Sequence, residues 1–447
     1  MKVNFSIFKS YDIRGIYPKD LNEEIAYKIG QSFIEYTRAK NVVVGRDMRL
    51  SSPALFEALT KGITDQGVDV YNMGEIPTEC LYFAVGFKGF EAGVMITASH
   101  NPKEYNGFKM IKKSDNGFSM IRGKDLIDAV SKEDSLEIKS KGIVKNIDVI
   151  QDYLNHIFSL VDVKRIKPFK VVVDAGNGMS GKVIPLMEKR LPIKIIPLNF
   201  ELDGSFPAHL SNFLEQGVTD QISEKIKSEK ADFGLIFDGD ADRIGLVDEK
   251  GSLIKGDMTL LFLAKYFLKK NPGSAIAYNL ICSKAVPEFI GKWGGKPVKT
   301  KVGFVNVKEG LLENNGILGG ELSTHYCYKD NFYGDSGFLT LLILLSTISG
   351  FDKKVSEMAE ELSPYFKESE INFEIEDKEG MINKVKEKYS DGKQDYLDGV
   401  TVEYKDWWFN IRPSNTEPLI RLTIEADTQE LLEEKKKELT ALVNELK

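Results

Sequence analysis

The chain has 447 residues, 42% hydrophobic and 28% charged, more than one hydrophobic core serves, since cores stop growing at about 250 to 300 residues. Three or four domains are expected. Lys and Arg total 60 against 67 Asp and Glu, a net charge of -7 with both signs interspersed, which is poor footing for phosphate-backbone binding and leaves nucleic acid out as an expected partner. Cys80, Cys282 and Cys327 lie far apart with no C-x-x-C spacing, so neither a disulfide framework nor a zinc knuckle is expected. No apolar run approaches the roughly 18 residues of a membrane span, and the first residues lack the continuous apolar stretch of a signal peptide. A cytoplasmic location with no membrane partner follows as the expectation.

The first third alternates in a β/α rhythm: a strand at 42–44, a helix over 52–67, a strand at 68–71, a helix over 77–86 and a strand ending at Thr97. The pattern recurs from Phe169, with a strand at 170–173, a Gly-rich turn and helix, a strand at 193–196, a charged helix over 221–230 and a strand at 233–237. A third copy runs over about 258–350 and holds the most apolar stretch, 338–348, read as a buried helix. The remainder differs, with strands near 371–375, 400–404, 408–411 and 419–426 before a long charged helix. It reads as a smaller α+β domain. The polar stretches 146–151 and 363–370 read as connections. Each of the three α/β units delivers a strand end to a polar loop, at Ser99, Asp238 and Glu321, and ligands of open α/β sheets bind outside the carboxyl ends of strands.

The loop "DGDADR", Asp238 to Arg243, follows the apolar strand at 233–237. Carboxylates at Asp238, Asp240 and Asp242 repel one another unless a cation neutralises them, and oxygen-only ligands suit Mg²⁺. An EF-hand would also place acids at Asp238, Asp240, Asp242 and Glu249, but Arg243 fills the position that needs Gly and the flanks read as strands. In "TASHN", Thr97 to Asn101, a polar turn competes with a site, and Lys109 follows closely as a cation. A Ser-His-Asp hydrolase lacks its G-x-S-x-G elbow here, and Ser99 and His100 would point apart if extended. A serine beside a divalent-metal loop points to phosphoryl transfer.

"GGELSTH" presents Glu321, Ser323 and His325 on one face if extended, a set suited to sugar hydroxyls, against the reading of a polar edge strand. "RPSNTEP" offers Arg412 with Ser414, Asn415 and Thr416, donors that can wrap a phosphate, although such a turn is also ordinary. "YDIRG" adds Tyr11 and Arg14, the latter equally readable as a surface ion pair.

These loops in this order resemble the α-D-phosphohexomutase superfamily, in particular its phosphomannomutase/phosphoglucomutase branch, over essentially the whole chain. The resemblance implies four domains around a central cleft: α/β domains at 1–148, 149–248 and 249–364 and an α+β domain at 365–447. It implies that Ser99 is phosphorylated in the resting enzyme and that its phosphate joins Asp238, Asp240 and Asp242 in holding Mg²⁺. Arg243 would orient the phosphoserine, and Lys109 would be the candidate general base, with His100 and Asn101 completing the loop. Tyr11 and Arg14 would line the same cleft. Glu321 and Ser323 would hold sugar hydroxyls with His325 beside them, and Arg412, Ser414, Asn415, Thr416 and Arg421 would bind the phosphate that is not reacting. The chain departs from the resemblance at Phe304, where members often carry a His.

The implied activity interconverts hexose 6-phosphate and hexose 1-phosphate, mannose favoured, through a hexose 1,6-bisphosphate that is both intermediate and activator. The implied partners are small phosphosugars, and the implied assembly is a monomer or homodimer. A phosphoglucosamine mutase is the alternative within the fold, disfavoured by Leu322 where that branch usually has a polar residue. A non-catalytic sugar-phosphate-binding protein is the alternative outside it.

Overall fold

The computed structural model describes residues 4–132, 141–375, 377–414 and 419–445. They divide into two compact units, Met1–Ile254 with Ser323–Ser356, and Lys255–Leu322 with Glu357–Lys447. The stretch read as a third repeat contributes to both, its break falling between Leu322 and Ser323.

In the first unit, Val42, Val43 and Val44 form the centre of the strand Asn41–Arg46. It runs parallel to Asp69–Glu75 on one side and Ala92–Ile96 on the other. A strand covered on both faces reads as a continuous apolar run, which is why this one was legible. The helices Glu23–Thr37 and Ser52–Thr64 lay Ile25, Ile29, Phe33, Leu55, Leu59 and Ile63 into one core with Val42, Val44 and Val94. Beyond Ala92–Ile96 the chain reverses, and the strand Tyr105–Ser114 pairs antiparallel with it and with Ile13–Ile16. At Gly107 any Cβ would lie 2.1 Å from the carbonyl oxygen of Ile13. Only glycine permits that approach.

A second sheet in this unit has the parallel strands Lys194–Leu198, Lys170–Asp174 and Phe233–Phe237, then Ile244–Val247 antiparallel to the last. The acidic loop is therefore the turn of a hairpin, which removes the EF-hand reading. Helix Gly337–Ser349 is almost wholly buried, as its composition predicts, and Ser336 caps it by accepting from the Leu339 N–H.

The second unit begins with the helix Gly256–Lys270 and the parallel strands Lys296–Thr300, Ala275–Asn279 and Leu318–Gly320. Its other part is a five-stranded antiparallel sheet, in the order Phe366–Glu374, Leu419–Ala426, Trp407–Pro413, Val400–Glu403 and Lys393–Asp395. Phe409, Ile411, Leu422 and Ile424 pack there against Leu439 and Val443 of helix Gln429–Glu445.

Two expected connections are corrected. Most of 363–370 belongs to the strand Phe366–Glu374, whose charged sequence hides its pattern because buried Lys367 donates to buried Asp257 at 2.7 Å. The stretch 146–151 shrinks to the residues between the strand Val144–Asn146 and the helix Ile150–Ser159. Among the described residues no helix is long and apolar enough to cross a membrane. Cys80, Cys282 and Cys327 are all buried.

Candidate active site

Ser99 follows the buried strand Ala92–Ile96 and takes a left-handed backbone, φ 51°. Its N–H donates to Thr97 Oγ1 at 2.9 Å, and its hydroxyl donates to Asp238 Oδ2 at 3.1 Å. The extended geometry expected for Ser99 and His100 is corrected: the left-handed turn brings Ser99 Oγ to 3.2 Å from His100 Nδ1. Burial, reinforced by the cations Arg243 and Arg14, pushes the His100 imidazole well below its ordinary pKa and keeps it neutral.

What holds this loop is Arg49, which sequence reasoning missed. Its fully buried guanidinium donates to four carbonyl oxygens, those of Ser99 at 2.8 Å, Asn101 at 2.6 Å, Pro102 at 2.7 Å and Tyr105 at 3.0 Å. Asp47 supplies the counter-charge 3.2 Å away. Arg49 and Asp47 lie just past the strand Asn41–Arg46, at the same kind of strand end that singled out Ser99. That signal was available and unused.

The carboxylates of Asp238, Asp240 and Asp242 are buried and offer oxygens within 4.8 Å of one another. Burial raises Asp238 well above the usual carboxylate range, and its two acidic neighbours add to the rise. Burial acts the same way on Asp240, but the Lys109 ammonium outweighs it and holds that carboxyl low. Lys109 Nζ donates to Asp240 at 2.8 Å and also to Asp242. Burial alone would lower Lys109; these two carboxylates reverse the sign and hold it protonated. Lys109 is thus a counter-ion in this arrangement. Thr78 donates to Asp240 Oδ2 at 2.5 Å, and Ser211 ties the loops together, donating to the Ser99 carbonyl at 3.2 Å and accepting from the Gly239 N–H at 2.9 Å. Gly239 is again a close approach, a Cβ there lying 3.0 Å from the Ser99 carbonyl oxygen.

Arg243 donates from Nε to His325 Nε2 at 2.8 Å, and His325 Nδ1 lies 2.8 Å from Asp335 Oδ2. The hydrogen-bond pattern assigns the proton to Nδ1. Arg14 donates to Asn101 Oδ1 at 2.5 Å and pairs with Asp12, while Tyr11 sits half-buried ahead of the strand Ile13–Ile16. Sequence reasoning missed Thr78 and Ser211, whose partners Asp240 and Ser99 lie far away along the chain, and also Asp335, the partner of His325.

The expected single face of Glu321, Ser323 and His325 is corrected. The strand ends at Gly320, the chain turns, and Thr324 takes φ 68°, so the alternation an extended segment would give is lost. Glu321 is buried and accepts from the Gly303 N–H at 2.9 Å and from Asn279 at 3.3 Å.

In the second unit, Arg412 and Arg421 are Cα partners across the hairpin of Trp407–Pro413 and Leu419–Ala426. Opposed like charges repel, so this pair demands an anion. Ser414 is buried beside them in sequence, its N–H donating to the Leu419 carbonyl at 2.8 Å. Asn415 and Thr416 lie outside the described residues.

Four family models match in succession: phosphoglucomutase/phosphomannomutase alpha/beta/alpha domain I over residues 6–137, domain II over 151–251, domain III over 255–366, and the C-terminal domain over 370–442. The chain belongs to the phosphoglucomutase/phosphomannomutase family. It is 37% identical to a phosphomannomutase of Methanocaldococcus jannaschii and 36% identical to one of Vibrio cholerae, in both cases over 98% of each chain. A crystal structure of a phosphoglucomutase/phosphomannomutase family protein from Burkholderia thailandensis superposes with a TM-score of 0.89 at 32% identity, covering 99% of this chain and 98% of that one.

As a member of this family, within the α-D-phosphohexomutase superfamily, the protein is a mutase acting on phosphosugars. The donor set fits a metal ion: Asp240 Oδ1 and Asp242 Oδ1 are buried with no hydrogen-bond partner among the described residues, and all three carboxylates converge. Hard oxygen ligands of this kind suit a hard divalent cation.

Proposed function

We propose that the protein is a Mg²⁺-dependent mutase that interconverts hexose 6-phosphate and hexose 1-phosphate, with mannose as the favoured sugar. The observation that carries the reading is the Ser99 hydroxyl, buried and 3.1 Å from Asp238 at the edge of three converging carboxylates. Phosphorylated Ser99 donates its phosphoryl group to the free hydroxyl of the bound sugar. The Ser99 P–O bond breaks, the sugar P–O bond forms, and the hydroxyl's proton ends on Ser99 Oγ. The reverse transfer from the other end of the hexose 1,6-bisphosphate completes the turnover. When bound, Mg²⁺ would be held by Asp238, Asp240, Asp242 and the Ser99 phosphate and would neutralise charge on the phosphoryl oxygens.

The chain's own residues supply the rest. Arg49 fixes the Ser99 loop through its carbonyls. Arg243, oriented by His325, directs a cation at the phosphoserine. The neutral His100, whose Nδ1 lies 3.2 Å from Ser99 Oγ, is the group placed to carry the proton, and Lys109, held protonated by Asp240 and Asp242, supplies a cation beside the phosphoserine. Arg14 and Asn101, with Tyr11 nearby in sequence, border the substrate hydroxyl. Glu321, Ser323 and His325 read the sugar, and Arg412, Arg421, Ser414, Asn415 and Thr416 hold the phosphate that is not reacting. Relatives named phosphomannomutase support mannose, and Leu322 supports a neutral hexose over an amino sugar.

The test is a coupled assay with mannose 1-phosphate, glucose 1-phosphate and glucosamine 1-phosphate, run with a hexose 1,6-bisphosphate as activator, with and without chelator. Turnover fastest on mannose, abolished by chelator and restored by Mg²⁺, is expected. Fastest turnover on glucosamine, or full activity in excess chelator, would overturn the substrate or the metal assignment respectively.

A further inference from the structure

The anion that Arg412 and Arg421 demand is supplied from within the chain. Glu370 Oε1 accepts from Arg412 Nη2 at 2.5 Å and from Arg421 Nη1 at 3.3 Å. Glu370 reaches them from the strand Phe366–Glu374, whose register against Leu419–Ala426 slips between Glu368 and Ile371. At that slip Glu370 takes φ 58°, a conformation a non-glycine residue keeps only when its surroundings enforce it. The two partners differ in exposure: the Arg412 side chain is 6% exposed and that of Glu370 is 38% exposed. Arg412 Nε is buried with no hydrogen-bond partner among the described residues. A guanidinium can give an oxyanion two parallel N–H bonds, and here Glu370 takes only Nη2. The buried cation therefore keeps unused capacity for an anion, and the group that covers it stands on the solvent side.

We propose that Glu370 competes with the substrate's non-reacting phosphate for Arg412, occupying the guanidinium between ligands and leaving as a phosphate enters. The inference rests on the reading that the Arg412 loop holds that phosphate. Glu370 is a positioning residue: its carboxylate and a phosphate cannot share one buried fork. A binding-competent state that is only partly populated weakens apparent affinity by that fraction. Its use to the enzyme is release, because a bisphosphate that must be regripped at its other end benefits from a group that retakes the arginine.

The experiment titrates the full chain with inorganic phosphate by calorimetry, comparing the unmodified protein with Glu370→Gln, Glu370→Asp and Arg412→Ala. Because the ion pair is partly exposed, its competition is worth a modest factor, so Glu370→Gln should bind phosphate about 3- to 10-fold more tightly. Glu370→Asp, whose shorter side chain withdraws the carboxylate, should shift affinity the same way by less. Arg412→Ala should weaken it. In turnover, Glu370→Gln should lower KM and kcat together, a split that a merely structural role would not produce. Unchanged or weaker phosphate binding in both Glu370 variants, with Arg412→Ala still weakened, would overturn the competition and leave the phosphate loop standing. Unchanged binding in Arg412→Ala would overturn both.

Discussion

Arg49 holds four carbonyls of the Ser99 loop with one guanidinium, so the position of Ser99 depends on a residue 50 positions away. Replacing it removes one partner of a buried ion pair and leaves the buried Asp47 carboxylate without its counter-charge. Arg49→Ala should therefore destabilise the protein by about 3 to 5 kcal/mol. Arg49→Lys should recover part of that stability but little activity, since a point charge cannot reproduce the fork. Denaturant midpoints read beside mutase rates check both, and a lysine variant with full turnover would refute the positioning role. Asp240→Asn acts on the other side of the site. Removing one of the converging charges should weaken Mg²⁺ binding by about 10-fold or more, measured by calorimetric titration of the metal, and equal affinity would remove Asp240 from the ligand set.

At the scale of elements, the helix Thr78–Phe87 links stability to the site. Its Glu79 is buried, accepts from Tyr153, and is held well above the usual carboxylate range by burial, with nearby Asp335 adding to the rise. A raised folded pKa means that this group's contribution is fully present below its unfolded value of about 4.3 and is lost as pH rises through the folded value. Glu79→Gln should flatten that loss, seen as a smaller drop in denaturant midpoint between acid and neutral pH; an unchanged slope would show that other groups set it. Gly107→Ala should cost about 2 kcal/mol or more through its contact with the Ile13 carbonyl, measured in the same way.

These elements also show what a sequence displays. The parallel strands Asn41–Arg46, Ala92–Ile96, Lys170–Asp174 and Phe233–Phe237 were legible because they are covered on both faces, and the hairpin around Asp238 to Arg243 because turn residues sit between two apolar runs. The segment from Glu321 to His325 was not, because a single left-handed residue, Thr324, cancels the alternation on which the reading relied. The strand over Phe366–Glu374 was half hidden by buried charge, a pattern indistinguishable from a solvated linker until Lys367 is seen to meet Asp257.

At the scale of the whole molecule, the chain folds into two units, and each carries part of the polar apparatus assigned from sequence. Ser99, Lys109, the three aspartates, Arg243 and His325 come together in the first unit, and Arg412 faces Arg421 in the second. The loops were legible because each is a short local word at the end of a strand. Arg49 and Glu370 were not, because their meaning lies in partners distant along the chain. Arg412→Ala removes a charge-assisted contact of roughly 1.5 to 3 kcal/mol and should lower kcat/KM by about 10- to 100-fold. Ser99 should remain phosphorylatable in that variant, since its own loop is untouched; loss of phosphorylation there would contradict the division of roles.

The central claim is that Ser99 carries the phosphoryl group, and phosphopeptide mapping reads this directly. After incubation with glucose 1,6-bisphosphate and Mg²⁺, phosphate should be found on Ser99, be absent from Ser99→Ala, and be discharged when hexose 6-phosphate is added. The Ser99→Ala protein should keep its fold and lose at least about 100-fold in turnover. An unmodified Ser99 after that incubation, or near-normal turnover in the alanine variant, would contradict the account.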